Sequence, residues 1–308
     1  MPHSISADQA LATRMSSQRL VTPAEDLRDV VALQAQDVRA VGEAARNRGL
    51  TTDGVRTWAM RGTLHLLHPD DAGWVVGLLG PHFIAAGKRR RDQLGLDDDL
   101  CARALDALKD ILREPKDRAA TVKALAEVGI VLEAGQAAAH LLAFAANSGV
   151  VQRGMDDTYF LLDRQSDPRG LTDLFHRYLD AYAPATIEDF ASWSGLKLAE
   201  VRRIDTEILR RTDFGFLPDG TEIAEPIGTL KLLGHFDTYL LGYRDRSLAL
   251  PSDHARKIQT GGGFLTPHVV LDGRVVGTWK RENGEPVITP FDPARAGELT
   301  RLAREGTR

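Results

Sequence analysis

The sequence contains one cysteine, Cys101, few aromatic residues and no long apolar run. A single cysteine excludes an internal disulfide and a cysteine metal cluster. Aromatic residues make up only 6% of the chain, which argues against a β-sandwich throughout. No apolar run approaches the roughly 20 residues of a membrane helix, and the first residues lack the apolar core and cleavage site of a secretory signal. We therefore expect a cytoplasmic protein that contacts no membrane.

The signatures of metal, nucleotide and acyl-transfer sites are also missing. The nine histidines form neither an HExxH motif nor a His/Cys cluster with ligand spacing. His65 and His68 lie on a predicted strand, and we expect both to be partly exposed there. The chain contains no GxSxG elbow and no glycine-rich loop followed by Lys and Ser or Thr. We expect no metal ion and no organic cofactor.

The charge balance is slightly acidic. With 39 Lys and Arg against 43 Asp and Glu, the formal net charge is −4, which argues against a protein that coats nucleic acid through a basic surface. Positive charge is nevertheless concentrated at residues 88–91, and cations adjoin aromatic residues at 243–246 and 279–281. Such groups suit phosphate binding if they share one face, whereas the alternative for each is a solvated surface.

The first part of the chain is predicted to combine short helices with a strand. Thr22-Pro23-Ala24-Glu25 is a typical helix start, and the apolar residues after it predict a helix that ends near Gln34. Further helices are predicted over 37–48 and 54–60, and the alternating segment 63–68 predicts a strand. Several short helices followed by a strand is the order of elements in a winged helix.

Similar patterns recur twice further along the chain, matching in pattern and not in residue identity. The second copy consists of predicted helices and then two predicted strands, at 98–112, 119–128, 135–147, 149–154 and 158–162. The third copy consists of predicted helices at 171–183, 186–194 and 198–209.

The C-terminal part has a different pattern. From about residue 213, short apolar runs alternate with Gly and Pro, and Asp272-Gly273 predicts the turn of a β-hairpin. We therefore predict an α+β fold of three tandem winged-helix motifs followed by a β-barrel-like domain. The predicted domains are residues 1–80, 81–168 and 169–225 for the winged helices and 226–308 for the barrel-like part.

Gln34 and Gln36 follow the first apolar segment, and two glutamines at this spacing are usually a polar helix end. Four segments in a fixed order change that interpretation, and they span nearly the whole chain: Leu33–Asp37, Met60–Leu66, His235–Arg246 and Asp272–Trp279. As an ordered set they resemble the AlkZ/YcaQ family of winged-helix DNA glycosylases, which act on alkylated bases.

The resemblance implies both a fold and a reaction. The family's three winged helices and β-barrel form a C-shape around a DNA channel. Its catalytic signature in the AlkZ branch is Gln-x-Gln, which Gln34 and Gln36 match, although Ala35 between them is too small for a bulky apolar contact. The protein is then expected to be a monofunctional DNA glycosylase that hydrolyses the N-glycosidic bond of N7-alkylated purines, with bulky adducts or interstrand crosslinks as candidate substrates.

Two amide side chains suit this reaction because an N7-alkylated purine already carries positive charge and leaves without a strong general acid. Their carbonyl oxygens can orient the water and stabilise the oxocarbenium-like sugar. The expected partner is double-stranded DNA with alkylated purines at the nucleoid, with no obligate protein partner. The expected DNA contacts are Arg61, Thr63, His65, Lys88, Arg89, Arg90, Arg91, Tyr243, Arg244, Arg246, Lys280 and Arg281.

Two other functions fit the same sequence. A non-catalytic winged-helix DNA-binding protein or regulator would use the basic segments without the glutamines. A protein-interaction scaffold would fit the acidic charge but would leave both features without a role. Base release from DNA that contains N7-methylguanine separates the enzyme from the regulator, and a lack of DNA affinity at low salt would favour the scaffold.

Overall fold

A computed structural model describes residues 4–132, 135–163, 167, 169–261 and 264–305. The protein is α+β, and its internal contacts divide the chain into two units. The first unit comprises Met1–Thr52, Thr172–Trp193 and Lys197–Arg308, and the second comprises Asp53–Leu171 and Ser194–Leu196. The sequence-based division into four domains stays a prediction. In the described part of the chain, no helix is both long enough and apolar enough to span a bilayer.

The structure combines α-helices with short strands. The helices are α1 Ala7–Ser17, α2 Val38–Asn47, α3 Pro69–Gln93, α4 Asp98–Ile111, α5 Arg118–Glu127, α6 Ala137–Asn147, α7 Leu171–Tyr182, α8 Ile187–Ser194, α9 Leu198–Val201, α10 Thr238–Leu241, α11 Ala255–Ile258 and α12 Ala296–Glu305. The strands are β1 Ala32–Gln34, β2 Val55–Trp58, β3 Leu64–Leu67, β4 Val151–Arg153, β5 Tyr159–Leu161, β6 Arg210–Thr212, β7 Gly215–Leu217, β8 Leu230–Leu233, β9 Gln259–Gly261, β10 Phe264–Leu265, β11 His268–Leu271, β12 Arg274–Glu282 and β13 Glu285–Pro290.

Three helices and a hairpin form the core of the second unit. Helices α4, α5 and α6 are followed by the antiparallel pair β4–β5, which confirms the elements predicted for the second copy. Asp97 and Asp117 cap α4 and α5 by accepting backbone N–H groups. Leu108, Leu125 and Leu141 are fully buried between the helices, so their apolar faces hold the motif together.

Strands β2 and β3 pair antiparallel over their full length, with Val55 opposite Leu67 and Trp58 opposite Leu64. The strand predicted over 63–68 is confirmed, whereas the helix predicted over 54–60 is wrong. Val55, Thr57 and Trp58 favour a strand, and cross-strand pairing outweighs the helical spacing of so short a segment. The buried Arg56 of β2 also donates to the carbonyl of Gly154 at 2.8 Å, which holds β2 against the β4–β5 turn.

The segment after Thr22 corrects another helix prediction. Asp26 accepts the backbone N–H of Arg28 and starts a single 3₁₀ turn, Leu27–Val30, which is followed by strand β1. Residues 30–35 are all buried, so the segment lacks the solvent-facing side of an amphipathic helix. Local capping by Asp26 and burial on both faces therefore favour a turn and a strand here.

Aromatic residues build the core of the first unit around α7 and α8. The rings of Tyr178 and Tyr182 stack at 5.0 Å, and Trp193 lies 5.0 Å from Tyr178. The predicted helices over 171–183 and 186–194 are confirmed. The helix predicted over 198–209 ends at Val201, because Asp205 accepts the backbone N–H of Glu207 and forms a turn before β6.

The C-terminal part forms an antiparallel sheet with the strand order β13–β12–β11–β8. The predicted hairpin is confirmed, because Asp272 and Gly273 both have positive φ between β11 and β12. The domain predicted to be barrel-like contains no closed barrel: within the described residues this sheet is open. Four strands are too few to close on themselves, and α12 packs against the two outer strands, β8 and β13.

Candidate active site

Gln34 is the last residue of β1, and Gln36 lies in the bend that follows, where the two side chains meet. Gln34 is 4% exposed, Ala35 is fully buried and Gln36 is exposed. The Gln34 Nε2 donates to Gln36 Oε1 at 3.1 Å. Residues two apart do not face each other on a helix. The two amides therefore meet only because this segment is not the helix that its spacing predicts.

Both ends of this segment are held by local structure. Val31, which precedes β1, has φ 60° and ψ −56°, close to a rare γ-turn conformation that is strained for a β-branched residue. Asp37, directly after the glutamines, caps α2 by accepting the N–H of Ala40 at 2.8 Å. Backbone strain beside a site is typical of functional positions, and the cap gives Asp37 a structural role.

Helix α2 is anchored at its other end by a buried ion pair. Arg48 Nη1 and Nη2 each donate to one carboxylate oxygen of Asp237 at 2.9 Å, and Nη2 also donates to Thr238 Oγ1 at 3.1 Å. Burial alone would raise the pKa of Asp237, but the charge of Arg48 and its hydrogen bonds hold that pKa below its usual value. The motif residue Asp237 therefore stabilises the helix that follows the glutamines.

Tyr243, a predicted DNA contact in the same motif, is a core residue. It is 2% exposed, its hydroxyl donates to the carbonyl of Tyr182 at 2.8 Å, and the guanidinium of Arg14 lies 3.8 Å from its ring centre. Burial raises the pKa of its phenol well above the usual value. The predicted DNA contact through Tyr243 is therefore wrong, because the ring is buried in the aromatic core of the first unit.

Arg244 and Arg246, the cations that follow Tyr243 in the motif, differ in exposure. Arg244 is exposed, and its backbone N–H donates to Asp189 at 2.8 Å. Arg246 is partly buried, and burial lowers the pKa of its guanidinium. Of the two, Arg244 has the more exposed side chain, and its contact with DNA stays a prediction.

Lys280 and Arg281 are exposed on β12, and each forms an ion pair. Lys280 pairs with Glu282 at 2.6 Å, and Arg281 pairs with Glu43 at 3.8 Å. Successive side chains of a strand point to opposite faces, so the two charges do not form one patch.

In the second unit, the segment Met60–Leu66 places Arg61 beside a buried histidine. His65 is 1% exposed, its Nδ1 lies 2.9 Å from the carbonyl oxygen of Thr63, and its Nε2 lies 3.4 Å from Arg61 Nη2. Burial and the charge of Arg61 lower the pKa of His65 to about 3. The expected exposure of His65 and its direct DNA contact are wrong, since the residue is almost fully buried. His68 is partly exposed and caps α3.

The cationic residues 88–91 lie on α3 and do not form one patch. Lys88 pairs with Asp92 at 3.2 Å and Asp98 at 3.0 Å, and Arg90 donates to Gln136 at 2.7 Å. Arg91 is 5% exposed with its guanidinium 4.7 Å from the ring centre of Phe144, while Arg89 is exposed. A helix turns by about 100° per residue, so it separates charges that are adjacent in sequence.

A cleft of about 510 Å³ lies between α3 and α6 of the second unit. Sequence reasoning missed it because its walls come from distant segments, and they include Trp58, Arg61, Phe83, Arg91, His140 and Phe144. Among the described residues, no group of three or more His, Cys, Asp or Glu side chains is placed to hold a metal ion.

Comparisons with known proteins identify the family of this chain. The profile of the family described as "DNA glycosylase AlkZ-like" matches residues 27–308. The "Interstrand DNA cross-link repair glycosylase" of Streptomyces sahachiroi is 30% identical, with 77% of this chain and 73% of the relative covered. The solved structure "Streptomyces sahachiroi DNA glycosylase AlkZ" superposes with a TM-score of 0.79 at 26% identity and covers 98% of each chain. The chain therefore belongs to the AlkZ-like family of DNA glycosylases, enzymes that hydrolyse N-glycosyl bonds in DNA.

Proposed function

We propose that this protein hydrolyses the N-glycosidic bond of N7-alkylated purines in double-stranded DNA, and that Gln34 and Gln36 are its catalytic residues. The observation that carries the proposal is the hydrogen bond from Gln34 Nε2 to Gln36 Oε1 at the end of a buried strand. It holds the exposed amide of Gln36 in a defined place. A group held in advance stabilises a transition state more than one that must reorganise.

In this mechanism the glutamines act as hydrogen-bond partners and not as proton acceptors. The C1′–N9 bond breaks, and its electron pair neutralises the positive charge of the alkylated purine. Water then bonds to C1′ and releases one proton to solvent. The carbonyl oxygen of Gln36 has two lone pairs; one accepts from Gln34, and the other orients the water or faces the sugar cation. Neutral amides contribute less than a carboxylate would, so the enzyme acts on purines that already leave easily.

Bulky adducts and interstrand crosslinks are the proposed substrates beyond simple methylated purines. The relative from Streptomyces sahachiroi is described as a crosslink repair glycosylase, and the AlkZ-like family profile matches residues 27–308 of this chain. The proposal includes three winged-helix motifs curved around a DNA channel, and a cytoplasmic location at the nucleoid.

The test is base release from duplex DNA that contains one N7-methylguanine. Released base and alkali-sensitive sites are expected with the wild-type protein. Gln34→Ala and Gln36→Ala should each lower the single-turnover rate about 10²- to 10³-fold, as for removal of one preorganised polar group. Gln93→Ala, which changes an exposed glutamine outside the pair, should release base at the wild-type rate.

Two further substrates sharpen this experiment. A duplex with uracil should not be cleaved, because a neutral base leaves as an anion unless it is protonated, and two neutral amides neither protonate it nor neutralise that anion. A duplex crosslinked between N7 positions of guanines should separate into single strands. The catalytic assignment fails if the double variant Gln34→Ala/Gln36→Ala binds DNA normally and still releases N7-methylguanine at the wild-type rate.

A further inference from the structure

Arg61 occupies a backbone conformation that long side chains seldom adopt. Its φ is 57° and its ψ is 15°, within the left-handed region that favours glycine. Gly195 packs so closely there that an added Cβ would lie 2.8 Å from the Cα of Arg61. This close packing holds the backbone of the turn in place and directs the Arg61 side chain towards His65 and the cleft.

The hydrogen bonds of His65 define its tautomer. The carbonyl oxygen of Thr63 can only accept, so the proton lies on Nδ1, which donates across 2.9 Å. Nε2 is therefore an acceptor, and it faces Arg61 Nη2 at 3.4 Å. Burial and the charge of Arg61 lower the pKa of His65 to about 3, so the imidazole stays neutral at physiological pH. A neutral, buried acceptor is thus aimed at the guanidinium.

The cleft beside Arg61 is complementary to an anion. Arg61 and Arg91 line it, and none of the described residues that line it is acidic. The guanidinium of Arg91 lies over the ring of Phe144, and Gly87 leaves room for it, since an added Cβ would lie 3.0 Å from its Nη1. Guanidinium groups bind phosphate oxygens through paired N–H groups, and phosphates supply most protein contacts to DNA.

We propose that Arg61 binds a phosphate of the DNA backbone at this cleft, and that His65 is a positioning residue that holds the Arg61 guanidinium for this contact. The inference rests on the proposed function for its ligand, duplex DNA. In this proposal Thr63 and His65 hold Arg61 in place, and Arg61 itself contacts the phosphate.

The test compares the affinity for an undamaged duplex at several salt concentrations. Arg61→Ala should weaken binding about tenfold or more, and should reduce the slope of log K against log salt by about 0.9, the value for one lost phosphate contact. Arg61→Lys keeps the charge and therefore the slope, with a smaller loss of affinity. If Arg61→Ala keeps the wild-type slope of log K against log salt, Arg61 does not bind a phosphate and the inference is overturned.

His65 is tested by a matched pair of amides. His65→Gln places an amide oxygen near the position of Nε2 and keeps the contact with Arg61, whereas His65→Asn keeps only the donor to the Thr63 carbonyl. We expect wild-type affinity and slope for His65→Gln and the Arg61→Ala behaviour for His65→Asn. Equal binding by the two variants, measured below both melting temperatures, overturns the positioning role.

These outcomes are separable from the proposed catalysis. Gln34→Ala and Gln36→Ala should keep the wild-type affinity and salt slope while base release falls. Arg61→Ala should raise KM and leave kcat within about twofold, since lost ground-state binding appears in KM. Loss of base release in the glutamine variants with unchanged binding in Arg61→Ala would overturn this inference and keep the proposed function.

Discussion

At the scale of single residues, burial decides what each polar side chain can do. Gln34 and His65 are both almost fully buried, yet each aims a polar atom at a more exposed partner, Gln36 and Arg61 respectively. Buried polar groups are costly unless they are hydrogen-bonded. Each of these pairs satisfies one buried group and at the same time places an exposed one.

The buried His65 predicts how stability depends on pH. Its native pKa of about 3 lies below the usual 6.5, so between these values the unfolded chain binds a proton that the native state does not. The free energy of unfolding should fall as pH drops below 6.5, by up to about 1.4 kcal/mol per pH unit from this one group. Urea unfolding at pH 7, 6 and 5 measures this dependence.

His65→Gln provides the control, because glutamine does not titrate. Its unfolding free energy should fall less steeply between pH 6.5 and 4. The difference between the two slopes should correspond to the uptake of about one proton on unfolding. His268, whose pKa burial also lowers, is present in both proteins and cancels in the comparison. An identical pH slope in the two proteins would show that His65 titrates normally in the native state.

At the scale of secondary-structure elements, the packing of α3 on α6 depends on one position without a side chain. An added Cβ at Gly80 would lie 1.9 Å from the backbone oxygen of Asn147, so the two helices approach backbone to backbone there. Asn147 also lines the cleft that contains Arg91 and Phe144. Helix packing thus places residues that sequence spacing cannot bring together.

Gly80→Ala should therefore destabilise the second unit by about 1–3 kcal/mol, the usual cost of overpacking. This change in the free energy of unfolding has the opposite sign to that at an exposed helical glycine, where alanine raises the stability by up to about 1 kcal/mol. Gly297→Ala is the matched control, because an added Cβ in α12 meets no atom within 4 Å. Thermal unfolding followed by circular dichroism should show a lower Tm for Gly80→Ala alone.

At the scale of the whole molecule, the first unit is built from segments that are far apart in sequence. Arg48 of the N-terminal segment and Asp237 of the C-terminal segment are 0% and 1% exposed and form a bidentate pair. A buried ion pair is expensive to break, because removal of one partner leaves the other charge without compensation.

Asp237→Asn should consequently lower the unfolding free energy by about 3–5 kcal/mol. Denaturant unfolding is the measurement, and Arg48→Met should give a similar loss. The double variant Arg48→Met/Asp237→Asn should be more stable than the sum of the two losses implies, since neither charge remains. Additive losses would mean that the pair does not couple the two segments.

Local signals in the sequence were sufficient for part of this protein. The capping aspartates and apolar spacing of α4 and α5, and the Asp272-Gly273 turn, act between residues that are close in the chain, so these elements were predicted correctly. The ordered motifs likewise identified the family, whereas the catalytic role of the glutamine pair stays a proposal. Tertiary structure decided the rest. Strand β1 forms because residues 30–35 are buried on both faces. The charges of residues 88–91 are separated by the helix that carries them. His65 faces Arg61 from a buried position on β3. Burial depends on neighbours that are distant in sequence, and local spacing carries no information about them.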